Sequence, residues 1–135
     1  MAKRKPRQNC FARITLRGWV PSKKNTWRYS KHGVYVDSKT RQAIDWLTLQ
    51  VNHQWGFPPL EAAEIVATVY HSNNRQDLDN MYTTVQDVLV KRKVLASDST
   101  RVVKRVTLVS EKCPKGGEGA DLDITGWYYE EAGVA

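Results

Sequence analysis

The sequence predicts an α+β domain: a mixed β-sheet with a β-hairpin and two main helices, in a single compact unit. Three observations carry this. One segment has helical period without a miss, with Leu78, Met81, Tyr82, Val85, Val88 and Leu89 falling at i, i+3, i+4 and i+7 spacing. Several other segments alternate apolar with polar residues or are rich in β-branched ones, as strands are. Finally, the order β, β-hairpin, α, β, α, β, β describes helices packed against a mixed sheet.

Taken in order, residues 1–9 read as a flexible basic arm, and 10–135 as the folded domain. "ARITLRGWV" supplies the first strand and "PSKKNTWRYSKHG" a polar connection. Within that connection "WRYSKHGVYV" reads as a hairpin, aromatic and β-branched residues flanking His32 and Gly33. Asp37 or Ser38 can cap a helix from about 39 to 54, with Ile44, Leu47, Val51 and Trp55 on one face, and "GFPPLE" stops it. "AEIVATVYH" is the next strand and runs straight into "RQDLDNMY", where the periodic helix begins. Lys91, Arg92 and Lys93 close that helix, where cations suit the C-terminus. "VLASDST" turns the chain, "RVVKRVTLVSEK" is a strand, "CPKGGEGAD" a loop and "DLDITGWYY" the last strand.

At 135 residues the chain is long enough for a hydrophobic core. It carries 21 Lys+Arg against 14 Asp+Glu, a formal net charge of +7. Such an excess points to a polyanionic partner, because phosphate neutralisation rewards clustered cations. No apolar run approaches a membrane span, and the basic N-terminus lacks the apolar core of a signal peptide. Cys10 and Cys113 stand in no CxxC or Cys/His cluster, which reads as two thiols in a reducing cytoplasm ahead of the alternative, a disulfide between them. His32, His53 and His71 are scattered singly, so a zinc site has little support.

Two aspartates, Asp77 and Asp79, sit where the periodic helix starts. Asp at that place accepts hydrogen bonds from free backbone N–H groups, a contribution of roughly 0.5–2 kcal/mol. One carboxylate satisfies that role. The pair also suits a cation, since neighbouring carboxylates repel unless one lies between them, and Mg²⁺ prefers hard oxygen ligands. A third acid, Asp98, follows the helix. A helix over 81–91 spans roughly 16 Å, and the seven residues from Arg92 to Asp98 extend to roughly 23 Å. Asp98 can then return to the helix start to complete the set. Arg75 offers positive charge beside it.

These residues carry a resemblance. "RQDLDNMYTTVQDVL" followed by "VLASDSTRVV" resembles the RusA family of Holliday-junction resolvases, as do "ITLRGWVPSKKNTWRYSKHGVYVDSKT" upstream and "CPKGGEGADLDITGW" downstream. The match runs from about residue 13 to 128. It implies a small homodimeric endonuclease of bacterial or phage-infected cells that uses Mg²⁺ to nick four-way or branched double-stranded DNA. By position, Asp77, Asp79 and Asp98 match the family's essential acids. Two departures stand out. The family's functional lysine, four residues after the second aspartate, is here Thr83, and its adjacent-acid pair is here Ser97-Asp98. An inactive relative that only binds branched DNA is therefore the rival reading.

On the nuclease reading, Asp77, Asp79 and Asp98 hold the metal, and Asn80 bonds a ligand or caps the helix. Lys23, Lys24, Arg28 and Lys31, interleaved with Trp27 and Tyr29, would contact DNA together with Arg75. A two-fold dimer suits symmetric nicking of paired strands, and the Trp127-Tyr128-Tyr129 tail is a candidate for its apolar patch.

Overall fold

Along β4 (Ala62–His71), Ala63, Ile65, Ala67 and Val69 are buried while Glu64 and Val66 are exposed, the alternation of a strand covered on one face. This computed structural model describes residues 6–22, 27–30 and 33–130, the hairpin by its backbone. The elements are β1 (Arg7–Arg17), β2 (Trp27–Ser30), β3 (Gly33–Val36), α1 (Ser38–Gln54), β4, α2 (Leu78–Lys91), β5 (Val103–Lys112) and β6 (Gly119–Tyr129). The main sheet has the order β1-β6-β4-β5, and β2 and β3 form a separate antiparallel hairpin with Ser30 opposite Gly33. The expected α+β architecture with a mixed sheet and two helices is what the chain adopts.

Both helices lie on one face of the sheet. There Ile14, Leu16, Ile65, Leu122 and Ile124 from the strands close on Leu47 and Val51 of α1 and on Met81, Val85 and Leu89 of α2. The opposite face is open and carries Phe11, 75% exposed, with Val66 and an Arg13 that pairs loosely with Asp121 and Asp123 at 3.4 and 3.6 Å.

The first strand begins at Arg7 rather than Ala12. Arg7, Gln8 and Asn9, expected in a flexible arm, are strand residues because β6 is long enough to pair with them, opposite Tyr129, Tyr128 and Trp127. The Arg7 guanidinium also lies 4.0 Å over the Trp127 ring.

The outer edge of β1 is covered by side chains at its C-terminal end. Gln54 of α1 donates to the Thr15 carbonyl at 2.8 Å and accepts the Thr15 N–H at 2.9 Å. Gln50 does the same for Arg17 at 2.8 and 2.7 Å. The match is geometric: four helical residues rise about 6 Å, and two strand residues about 6.6 Å. Helix α1 thereby satisfies backbone groups that an edge strand otherwise leaves free.

The pairing of β4 with β5 decides where the loops go. The two strands are parallel, from Ala63 opposite Val103 to His71 opposite Lys112, with α2 as the crossover between them. Consequently the loop before α2 and the loop after it lie at opposite ends of the sheet.

Candidate metal and nucleic-acid site

Loops 18–22, 72–77 and 113–118 gather at one end of the sheet with the first turns of α1 and α2. Backbone bonds tie them: Gly18 N–H to the Glu118 carbonyl and Cys113 N–H to the His71 carbonyl, both at 2.9 Å. The Thr84 hydroxyl of α2 donates to the Pro21 carbonyl at 2.7 Å. The Trp19 indole N–H reaches the Gln76 side-chain oxygen at 3.3 Å. Most of this grouping comes from chain segments far apart in sequence.

Asp77 occupies the N-cap position of α2, yet its carboxylate makes no capping bond to the backbone. Its Oδ2 instead accepts from Asn80 Nδ2 at 3.3 Å. Asp79, in the first turn, accepts the Asn80 backbone N–H at 2.9 Å. Capping thus accounts for part of Asp79 and none of Asp77. Both are exposed, and among the described residues no lysine or arginine forms an ion pair with either. The two line an open cleft of about 530 Å³ with His71, Asn74, Gln76 and Ser110, over the apolar Met81 and Leu108.

Asp98 does not join them within one chain. Leu95 bridges Leu60, and Ala63 N–H donates to the Val102 carbonyl at 2.7 Å, so the segment between stays at the start of β4. Asp77 lies beyond the other end of α2, whose 14 residues span about 21 Å. The expected return to the helix start left strand direction out of account: β4 and β5 do pair, but in parallel, and that direction forbids it. Lys91 and Lys93, at the C-terminal end of α2, are equally remote from the carboxylates. Thr83, where a lysine was expected, donates its hydroxyl back to the Asp79 carbonyl at 2.8 Å.

Among the described residues no three His, Cys, Asp or Glu side chains form a ready metal cage. The donor set is two carboxylates, which fits Mg²⁺: that ion is commonly held by one or two carboxylates, with water and substrate phosphate completing its octahedron.

Of the expected DNA contacts, Lys23, Lys24 and Lys31 lie outside the described residues, and Arg28 is placed by backbone only, opposite Tyr35 in the hairpin. Arg75 is exposed, its N–H held by Asn73 Oδ1 at 3.0 Å. It lines a second cleft of about 620 Å³ beside the first, the two sharing Gln76. Lys39 and Lys115 enter that cleft from α1 and from the 113–118 loop. Neither stood out in the sequence, because nothing local announces that a helix start and a loop 76 residues apart converge. The aromatic tail proposed for dimerisation is partly used inside the chain: Trp127 stacks edge-on with Tyr129 at 5.0 Å, and Tyr128 meets Phe57 at 5.9 Å.

Both thiols are free, and burial pushes the Cys10 thiol above its ordinary range. No described helix is long and apolar enough to cross a membrane.

Comparison with protein-family models finds no match, and no curated protein matches the chain.

Proposed function

We propose that the protein is a Mg²⁺-dependent, structure-selective endodeoxyribonuclease that nicks four-way or branched DNA as a homodimer in the cytoplasm. The observation that carries this reading is the pair Asp77 and Asp79: exposed, unpaired with any described cation, and facing one cleft in a chain of net charge +7. The resemblance to the RusA family adds the substrate class.

Asp77 and Asp79 would hold the ion, which when bound supplies Lewis-acid polarisation of the phosphodiester. Asn80 holds one oxygen of Asp77, a residue that lines the cleft. Asp79 is anchored through the Asn80 N–H, so both carboxylates are positioned by the rigid first turn of α2. Cations lining the neighbouring cleft would hold the DNA backbone in register, the part of recognition that positions without reading sequence. Preorganised charge and position are most of what phosphoryl chemistry asks of a protein.

A second reading, a protein that binds branched DNA without cutting it, is favoured by Thr83, whose hydroxyl bonds its own helix and supplies no charge. Incubation with a synthetic four-way junction, with Mg²⁺ and then with EDTA, separates the two. The nuclease reading expects symmetric nicks in Mg²⁺ and none in EDTA. Binding without nicks at saturating protein would leave the second reading standing.

A further inference from the structure

The second cleft holds an unsatisfied group. Ser22 lines it and is 5% exposed, yet its hydroxyl has no hydrogen-bond partner among the described residues. A buried hydroxyl in that state is costly unless something arrives to bond it. The first turn of α1 borders the same space through Asp37, Lys39 and Thr40. This 17-residue helix has no side-chain cap bond and no acid in its first turn, so free N–H groups and the positive end of its dipole are left there.

The charges agree with an anion. Lys39, Arg75 and Lys115 line the cleft together with the carboxylates of Asp37 and Glu118, and Glu118 already accepts the Gly116 N–H. Counting three cations against two carboxylates leaves one positive charge. Lys39 is held in place with its ammonium 5.6 Å over the Trp19 ring. A phosphodiester, with one negative charge and several acceptor oxygens, matches this balance better than doubly charged free phosphate.

We propose that the cleft is a phosphodiester subsite, in which Ser22 Oγ, Lys39, Arg75 and Lys115 hold a backbone phosphate of the nucleic-acid strand neighbouring the one at Asp77 and Asp79. The placement rests on the nuclease reading; the anion site does not. Arg75 and Asp77 are two residues apart, at most about 7 Å along the backbone, so a strand crossing both clefts presents consecutive phosphates to the two sets of residues.

The test uses the full chain in EDTA, so that no cleavage is required. A ¹⁵N-labelled sample is titrated with the dinucleotide dTpdT and, separately, with inorganic phosphate, following the Trp19 indole and the Ser22 and Arg75 amide signals. The dinucleotide should shift these signals. Ser22→Ala and the double variant Lys39→Ala/Lys115→Ala should each weaken that binding roughly tenfold. Four-way-junction affinity in the double variant should show a salt slope shallower by about 1–2. Unchanged dinucleotide binding in both variants overturns the subsite. Inorganic phosphate binding as tightly as the dinucleotide overturns the assignment to a strand. Dinucleotide binding intact alongside a junction that is never nicked in Mg²⁺ supports the subsite and removes the nuclease reading alone.

Discussion

Asn80 Nδ2 lies 3.3 Å from Asp77 Oδ2, and Asn80 also gives its backbone N–H to Asp79. One residue thus fixes both carboxylates of the candidate site. A side chain that orients a metal ligand commonly matters 10- to 100-fold in affinity. Asn80→Ala should therefore weaken Mn²⁺ binding, read by electron paramagnetic resonance, by roughly tenfold. Asn80→Asp, which keeps shape but adds a carboxylate, should not restore the bond to Asp77. Equal Mn²⁺ affinity in all three proteins would show that Asn80 orients nothing.

Asp79 and Asp98 should behave differently, because the structure puts them at opposite ends of α2. Asp79→Asn is expected to abolish nicking and to weaken metal binding of the isolated chain, with junction affinity retained. Asp98→Asn should leave metal affinity within about twofold. Loss of nicking in Asp98→Asn with metal binding intact would place Asp98 in DNA contact or in a second chain's site. Comparable loss of metal binding in the two variants would contradict the parallel β4–β5 pairing.

That pairing marks the limit of what the sequence revealed. Alternation and helical period located β1, the hairpin, both helices and the remaining strands, because each signal lies within its own segment. The acids at 77 and 79 were legible for the same reason: two residues and a helix start suffice. The position of Asp98 was not, since its reach is decided by strand direction, and chain length alone permits either answer. Lys39, Lys115 and Ser22 were invisible as a group, being brought together only where the first turn of α1 meets loops 18–22 and 113–118 at one end of the sheet. The extension of β1 to Arg7 was hidden in turn by its partner, β6, whose length sets it.

Gln50 and Gln54 close the free edge of β1 with four hydrogen bonds. The double variant Gln50→Met/Gln54→Met keeps helix propensity but removes those bonds. These are exposed groups that water can partly serve, so the cost should be about 1 kcal/mol in urea denaturation. The bared edge should also raise self-association, read by light scattering against time. A variant as stable and as monodisperse as the parent would mean that the edge needs no cover.

Gly126 lies opposite Ala63 in the antiparallel β4–β6 pair: a Cβ there would collide with the Ala62 carbonyl oxygen and come within 3.2 Å of the Ala63 Cα. Both neighbours are backbone and cannot rotate away. Gly126→Ala should destabilise by about 1–3 kcal/mol, the usual range for overpacking, while Gly56→Ala, which meets nothing within 4 Å, is the silent control. Equal denaturation midpoints for the two would show that the strands can part freely.

Tyr82 is 6% exposed, and its hydroxyl has no hydrogen-bond partner among the described residues. Burial pushes its pKa well above the ordinary 10.0. The folded protein therefore keeps the phenol proton where the unfolded chain has released it. The associated stability is fully present below pH 10.0 and is lost as pH rises beyond it. Tyr82→Phe removes both an unsatisfied group and this titration. At pH 7 the variant should be equal to or more stable than the parent, by up to about 1–3 kcal/mol. Above pH 10 the parent should lose stability more steeply, by at most about 1.4 kcal/mol per pH unit. Tyr70, whose pKa is raised chiefly by its hydrogen bond to Asp121, leaves a smaller dependence in both proteins. Urea denaturation at pH 7, 9, 10 and 11 reads the difference. Parallel curves across that range would mean that the Tyr82 hydroxyl is hydrated in the folded state.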